Sequence, residues 1–97
     1  MPRRSAAADQ MWHESHEIDL LRRRFRLTPA EAKVALQLTK GDGRLAVANR
    51  LGITLATVST HLRHIFAKTG THRQAELVGL LLRARKRVVK PVPAWPA

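Results

Sequence analysis

Val47-Ala48-Asn49-Arg50-Leu51-Gly52-Ile53-Thr54-Leu55-Ala56-Thr57-Val58-Ser59-Thr60-His61-Leu62-Arg63-His64-Ile65-Phe66-Ala67-Lys68-Thr69-Gly70 is the stretch that decides the fold. Val47, Ala48 and Leu51 share one face of a helix that begins near Arg44, and Gly52 stops it. Thr54 is a suitable N-cap for a second, longer helix over about Ala56 to Thr69. Along that helix Val58, Leu62, Ile65, Phe66 and Thr69 recur at helical spacing, and Gly70 closes it. Two helices of unequal length across a tight Gly52-Ile53-Thr54 connection predict a helix-turn-helix.

Upstream, Leu27-Thr28-Pro29-Ala30-Glu31 is a helix start. Thr28 can cap, Pro29 suits the first turn, and the Glu31 side chain can reach back to the cap's N–H. A helix from Pro29 to about Thr39 follows, with Val34, Ala35 and Leu38 on its buried face, ended by the loop of Gly41 to Gly43. Downstream, Arg73 to about Arg85 predicts a last helix whose Leu77, Val78, Leu80, Leu81 and Leu82 form a band wider than one core contact needs. Before residue 27, Ile18, Leu21 and Phe25 fall at i, i+3 and i+7, so a short helix is expected over 16–26. Residues 1–15 lack periodicity and are expected to be a flexible N-terminal segment; residues 86–97, with Pro91, Pro93 and Pro96, are expected to be an extended basic tail. The fold class is therefore all-α: a compact four-helix helix-turn-helix domain over 27–85, with a short additional N-terminal helix.

Composition narrows the partners. Ninety-seven residues allow one core. Eighteen Lys and Arg against seven Asp and Glu give a net charge of +11, the sign that phosphate backbones attract. The excess is uneven: residues 27–82 carry seven basic and three acidic side chains, residues 83–97 five and none. No apolar run approaches the ~20 residues that would span a bilayer, and residues 1–15 have no apolar region of the kind a signal peptide needs. A cytoplasmic location is expected, with no membrane partner. The absence of cysteine removes disulfides, thiolate nucleophiles and Cys-based zinc sites. His61, His64 and His72 have no third ligand close in sequence, and no nucleophile elbow or phosphate-cradling Gly-rich run is present. Neither a metal, a cofactor, a small-molecule ligand nor an enzymatic activity is expected.

With the apolar positions of the second helix turned inward, Thr57, Ser59, Thr60, His61, Arg63, His64 and Lys68 remain outside. Each can donate a hydrogen bond and none is acidic, which suits a helix lying in the major groove of double-stranded DNA. Spaced motifs agree with this: Leu27-Thr28-x-x-Glu31, Val47-Ala48-x-x-Leu51-Gly52-Ile53, Thr57-Val58-x-x-His61-Leu62-x-x-Ile65-Phe66-x-Lys68-x-Gly70, and Glu76-Leu77. Over roughly Leu27 to Leu82 the chain resembles the LuxR-type DNA-binding domain, also called the FixJ or GerE type. The resemblance implies a four-helix domain that regulates transcription, whose third helix reads the major groove and whose last helix often forms the dimer contact on a two-fold-related site. Carried over by position, it implies that Ser59, Thr60 and Arg63 face bases while Thr57 and Lys68 meet the DNA backbone. Two positions depart from the pattern: Ser59 stands where the family usually has a basic residue, and Ala46 where it usually has Glu. Asp42-Gly43 also replaces a more apolar turn.

Each feature has a plainer reading. Val58, Leu62, Ile65 and Phe66 are ordinary core; the polar face alone would be a solvated helix surface, and the turn context tips it toward DNA. The leucine band serves either a buried terminal helix or a dimer interface of Leu77, Leu80, Leu81 and Ala84, with Leu80 discriminating. The expectation is a sequence-specific regulator that binds DNA as a homodimer, with RNA polymerase as a further partner. The alternative is a helical protein-interaction module that binds DNA only non-specifically.

Overall fold

The computed structural model describes the backbone of residues 6–89 and side chains from 14 to 84. Five helices follow in order: α1 (Ala6–Phe25), α2 (Pro29–Leu38), α3 (Arg44–Leu51), α4 (Leu55–Thr69) and α5 (Gln74–Val89). The described residues contain no strand.

The starts and stops are set by local chemistry. Thr28 closes a full capping box: its hydroxyl accepts from the Glu31 N–H at 3.1 Å, and its own N–H donates to Glu31 Oε1 at 2.9 Å. Thr54 caps α4 through a bond from the Thr57 N–H at 3.1 Å. Three helices end with one device, a left-handed residue followed by a hydrogen bond reaching back five residues. Gly52 ends α3, with Ile53 N–H on Ala48 O at 3.1 Å; Gly70 ends α4, with Thr71 N–H on Phe66 O at 3.2 Å. Arg26 ends α1 in the same way at φ 59°, with Leu27 N–H on Arg22 O at 3.0 Å.

Helix α2 is the centre of the molecule and packs against all four others. Its burial is broader than the expected single face: Leu36 and Glu31 are buried along with Ala32, Val34, Ala35 and Leu38. Around it, Leu21, Leu27, Val47, Ala48, Val58, Leu62, Ile65, Leu77 and Leu81 complete the core, and Ile18, Phe25, Leu51, Ile53, Phe66 and Val78 pack against it.

Both outer boundaries need correction. Helix α1 begins at Ala6, ten residues before the expected start at His16, so most of the segment anticipated as flexible is helical. Ala6-Ala7-Ala8 carries no apolar periodicity but has the highest helix propensity, and adding turns to an existing helix is far cheaper than nucleating one. Trp12 accordingly lies within a helix. Helix α5 continues through Lys86–Val89, into the stretch expected to be tail, and its last residue lies two positions before Pro91. The rest of the expected tail, 90–97 with Trp95, lies outside the described residues.

Candidate nucleic-acid interface

Helix α4 packs on α2 and α3 through Val58, Leu62 and Ile65, all fully buried, and therefore has one fixed rotation about its axis. That rotation exposes Thr60, Arg63 and His64, together with Ala56 and Ala67, and leaves Thr57, Ser59 and His61 half-buried at the margins. The two alanines were not singled out from sequence; their small side chains leave the exposed face low, so backbone could approach a flat surface closely.

Hydrogen bonding divides the expected site residues into engaged and free. The Thr57 and Thr54 hydroxyls lie 2.8 Å apart at the helix start. Lys68, anticipated at the DNA backbone, donates to Glu31 Oε1 at 2.7 Å, and His64 Nδ1 lies 3.5 Å from Glu31 Oε2. Glu31 thus caps α2 and clamps α2 to the flank of α4. Burial pushes its pKa up, but hydrogen bonds from Lys68 and the Thr28 N–H, with the charges of Lys68 and His64, outweigh burial and hold the carboxyl below its usual range. Sequence reading saw the cap and missed the clamp, because the partners are 37 residues apart.

Compensation of Lys68 leaves Arg63 as the one cation of α4 without an acidic partner among the described residues. The neighbouring turn is braced similarly. Arg50 forks onto Asp42 at 2.6 and 2.9 Å and donates to Gln37 Oε1 at 2.6 Å, fixing the loop between α2 and α3. That pair holds the Asp42 carboxyl below its usual range. At the other end of α3, Arg44 Nε donates to Gln74 Oε1 at 3.1 Å and ties the helix to α5.

The expected dimer residues separate. Leu77 and Leu81 are 0% exposed and Ala84 is buried, so these three are packed into the protein's own core. Leu80 is half-buried and Leu82 exposed. Among the described residues, no three His, Asp or Glu side chains gather as a metal ion would require, and no helix is long and apolar enough to cross a membrane.

Known proteins resemble the chain over this same region. A monoamine regulon transcriptional regulator of Klebsiella aerogenes is 42% identical over 52 residues, which are 54% of this chain and 23% of that protein. A protein of Mycobacterium tuberculosis, named as a candidate HTH-type transcriptional regulator, is 38% identical over 52 residues, again 54% of this chain but 6% of its own length. The chain thus spans less than a quarter of the length of these relatives. No solved structure matches it. The family model of bacterial regulatory proteins of the luxR family matches residues 26–81, from the left-handed Arg26 to the buried Leu81, which is more than half of the chain. The chain belongs to the LuxR family of bacterial regulatory proteins.

Proposed function

We propose that this chain binds double-stranded DNA sequence-specifically and regulates transcription, with α4 lying in the major groove. The observation that carries the proposal is the outer face of α4: free of acid, low at Ala56 and Ala67, and bearing one uncompensated cation, Arg63. Arg63 pairs with guanine O6 and N7, while Ser59 and Thr60 make the shorter contacts to neighbouring base edges. Thr57, at the capped helix start, meets a phosphate, and His61 and His64 lie along the groove walls. Lys68 holds α4 on α2 through Glu31 and acts as a strut for the reading helix. The molecule binds a two-fold-related site as a homodimer, with the half-buried Leu80 of α5 meeting its symmetry mate. Regulation then proceeds in the cytoplasm through effects on RNA polymerase at the bound promoter.

The test is selection of duplexes from a random pool at physiological salt, followed by titration of the best sequence with wild type and Arg63→Ala. A bidentate arginine–guanine pair is worth about 1–3 kcal/mol, so Arg63→Ala should weaken the selected duplex roughly 5- to 150-fold and relax preference at one base pair, leaving helicity unchanged. Equal binding of all duplexes, unaffected by Arg63→Ala but lost from the functional partner with Leu80→Glu, would favour the protein-interaction reading.

A further inference from the structure

We propose that the corner between α1 and α2 forms a second DNA contact, in which Arg24 and Arg26 clasp phosphates beside the groove that α4 occupies. The inference rests on the DNA-binding reading and extends it to residues outside the helix-turn-helix.

Charge compensation comes first. Arg22 and Arg23 pair with Asp19 at 3.0 and 3.1 Å, Lys40 with Glu14, Arg50 with Asp42 and Lys68 with Glu31. Arg24 and Arg26 are exposed and have no acidic partner among the described residues; Arg24 lies against the Phe25 ring, 5.8 Å from its centre. The corner is therefore a site of net positive charge rather than a neutralised surface.

Position comes next. Glu31 Oε1 accepts both from the Thr28 N–H and from Lys68 Nζ, so the chain two residues after Arg26 and the last turns of α4 converge on a single oxygen. At 100° per residue, His64 and Lys68 lie on one flank of α4, next to the outer face of Thr60 and Arg63. The corner stands beside that flank. A helix with its side chains is about 10–12 Å across and fills a major groove ~12 Å wide, so what stands against its flank meets the phosphates of the groove wall.

The backbone supplies an independent observation. Arg26 takes the left-handed conformation at φ 59°, which costs an L-residue about 1–2 kcal/mol. At the equivalent stops of α3 and α4 the chain places glycine, Gly52 and Gly70. Leu27, buried next to Arg26, locks the corner in place. An arginine held at strain where glycine would serve points to a use for its side chain.

The experiment titrates wild type, Arg24→Gln/Arg26→Gln, Arg26→Gly and Arg26→Lys against the selected and a scrambled duplex over a range of salt. Each lost phosphate contact should reduce the slope of log affinity against log salt by about 0.9. The double variant should therefore lose close to two units, equally on both duplexes, and keep its base preference. Arg26→Gly should lose about one while folding at least as well as wild type, and Arg26→Lys should retain the slope. An unchanged slope in the glutamine variant, with wild type binding normally, overturns the corner contact and leaves the Arg63 reading standing. A change confined to the selected duplex also overturns it, since phosphates carry no sequence. If wild type binds no duplex at all, the DNA-binding reading itself fails, and the corner contact with it.

Discussion

Glu31 is the residue on which most local geometry depends. One buried carboxylate completes the capping box of α2, receives Lys68 and faces His64. Replacing it by Gln keeps the shape and removes the charge, leaving Lys68 without its counterion and the cap weakened; a loss of about 1–3 kcal/mol in urea denaturation is expected. The pH dependence has a definite sign. Because the folded carboxyl is held below the usual range, the unfolded chain binds the proton more readily, and the stabilisation is complete above the unfolded pKa, about 4.3. It is lost as pH falls from there through the folded value. Melting temperature should therefore drop between pH 5 and acid more steeply in wild type than in Glu31→Gln, and parallel curves would refute the clamp. Arg26 gives the opposite sign of mutation. Arg26→Gly removes the left-handed penalty at the cost of a more flexible unfolded chain, for a net gain of about 0.5–1 kcal/mol, read as a rise in melting temperature.

Among the elements, the sequence was most informative where the signal is local. Caps and stops act within three to five residues, so Thr28, Thr54, Gly52 and Gly70 marked their helix ends, and α2, α3 and α4 lie within a residue of where spacing put them. Helix α1 was half legible, because Ala6 to Ala8 have helix propensity without an apolar stripe. For the site, the apolar spacing of Val58, Leu62 and Ile65 predicted the outer face of α4, but pairing across the molecule did not show: Lys68 was read only as a DNA-backbone contact because nothing near it in sequence reveals Glu31. The leucine band was ambiguous for a similar reason. Sequence gives the width of an apolar band but not how many neighbours cover it, and α5 packs against both α1 and α2, which account for Leu77 and Leu81. Helix α5 also carries an interior glycine. A Cβ added at Gly79 would meet only the end of the flexible Arg83 side chain, at 3.3 Å, with backbone φ in the ordinary region. Gly79→Ala should therefore stabilise the monomer by about 0.5–1 kcal/mol in thermal melts.

At the scale of the whole molecule, the question is whether α1 is an appendage or part of the domain. The family match begins at Arg26, after α1 has ended, which would suggest an independent leader. Packing argues otherwise. Leu21 is 2% exposed and belongs to the same core as Val34, Leu62 and Leu81, with Ile18 and Phe25 against it, and α1 touches both α2 and α5. A domain of this size has a total stability of about 5–15 kcal/mol, and truncating a buried leucine costs about 2–5 kcal/mol through lost contacts and the cavity left behind. Leu21→Ala should then shift the single unfolding transition of the entire domain to lower urea, with the slope unchanged, whether followed by helical signal or by a probe on α4. It should leave the salt dependence of DNA binding untouched under conditions where the variant is folded, since it moves no charge. An appendage would behave differently: the α4 probe would report wild-type stability while the helical signal lost an early fraction. One shifted transition seen by both probes makes α1 a structural member of the domain, with the α1–α2 corner held by the same core that seats α4.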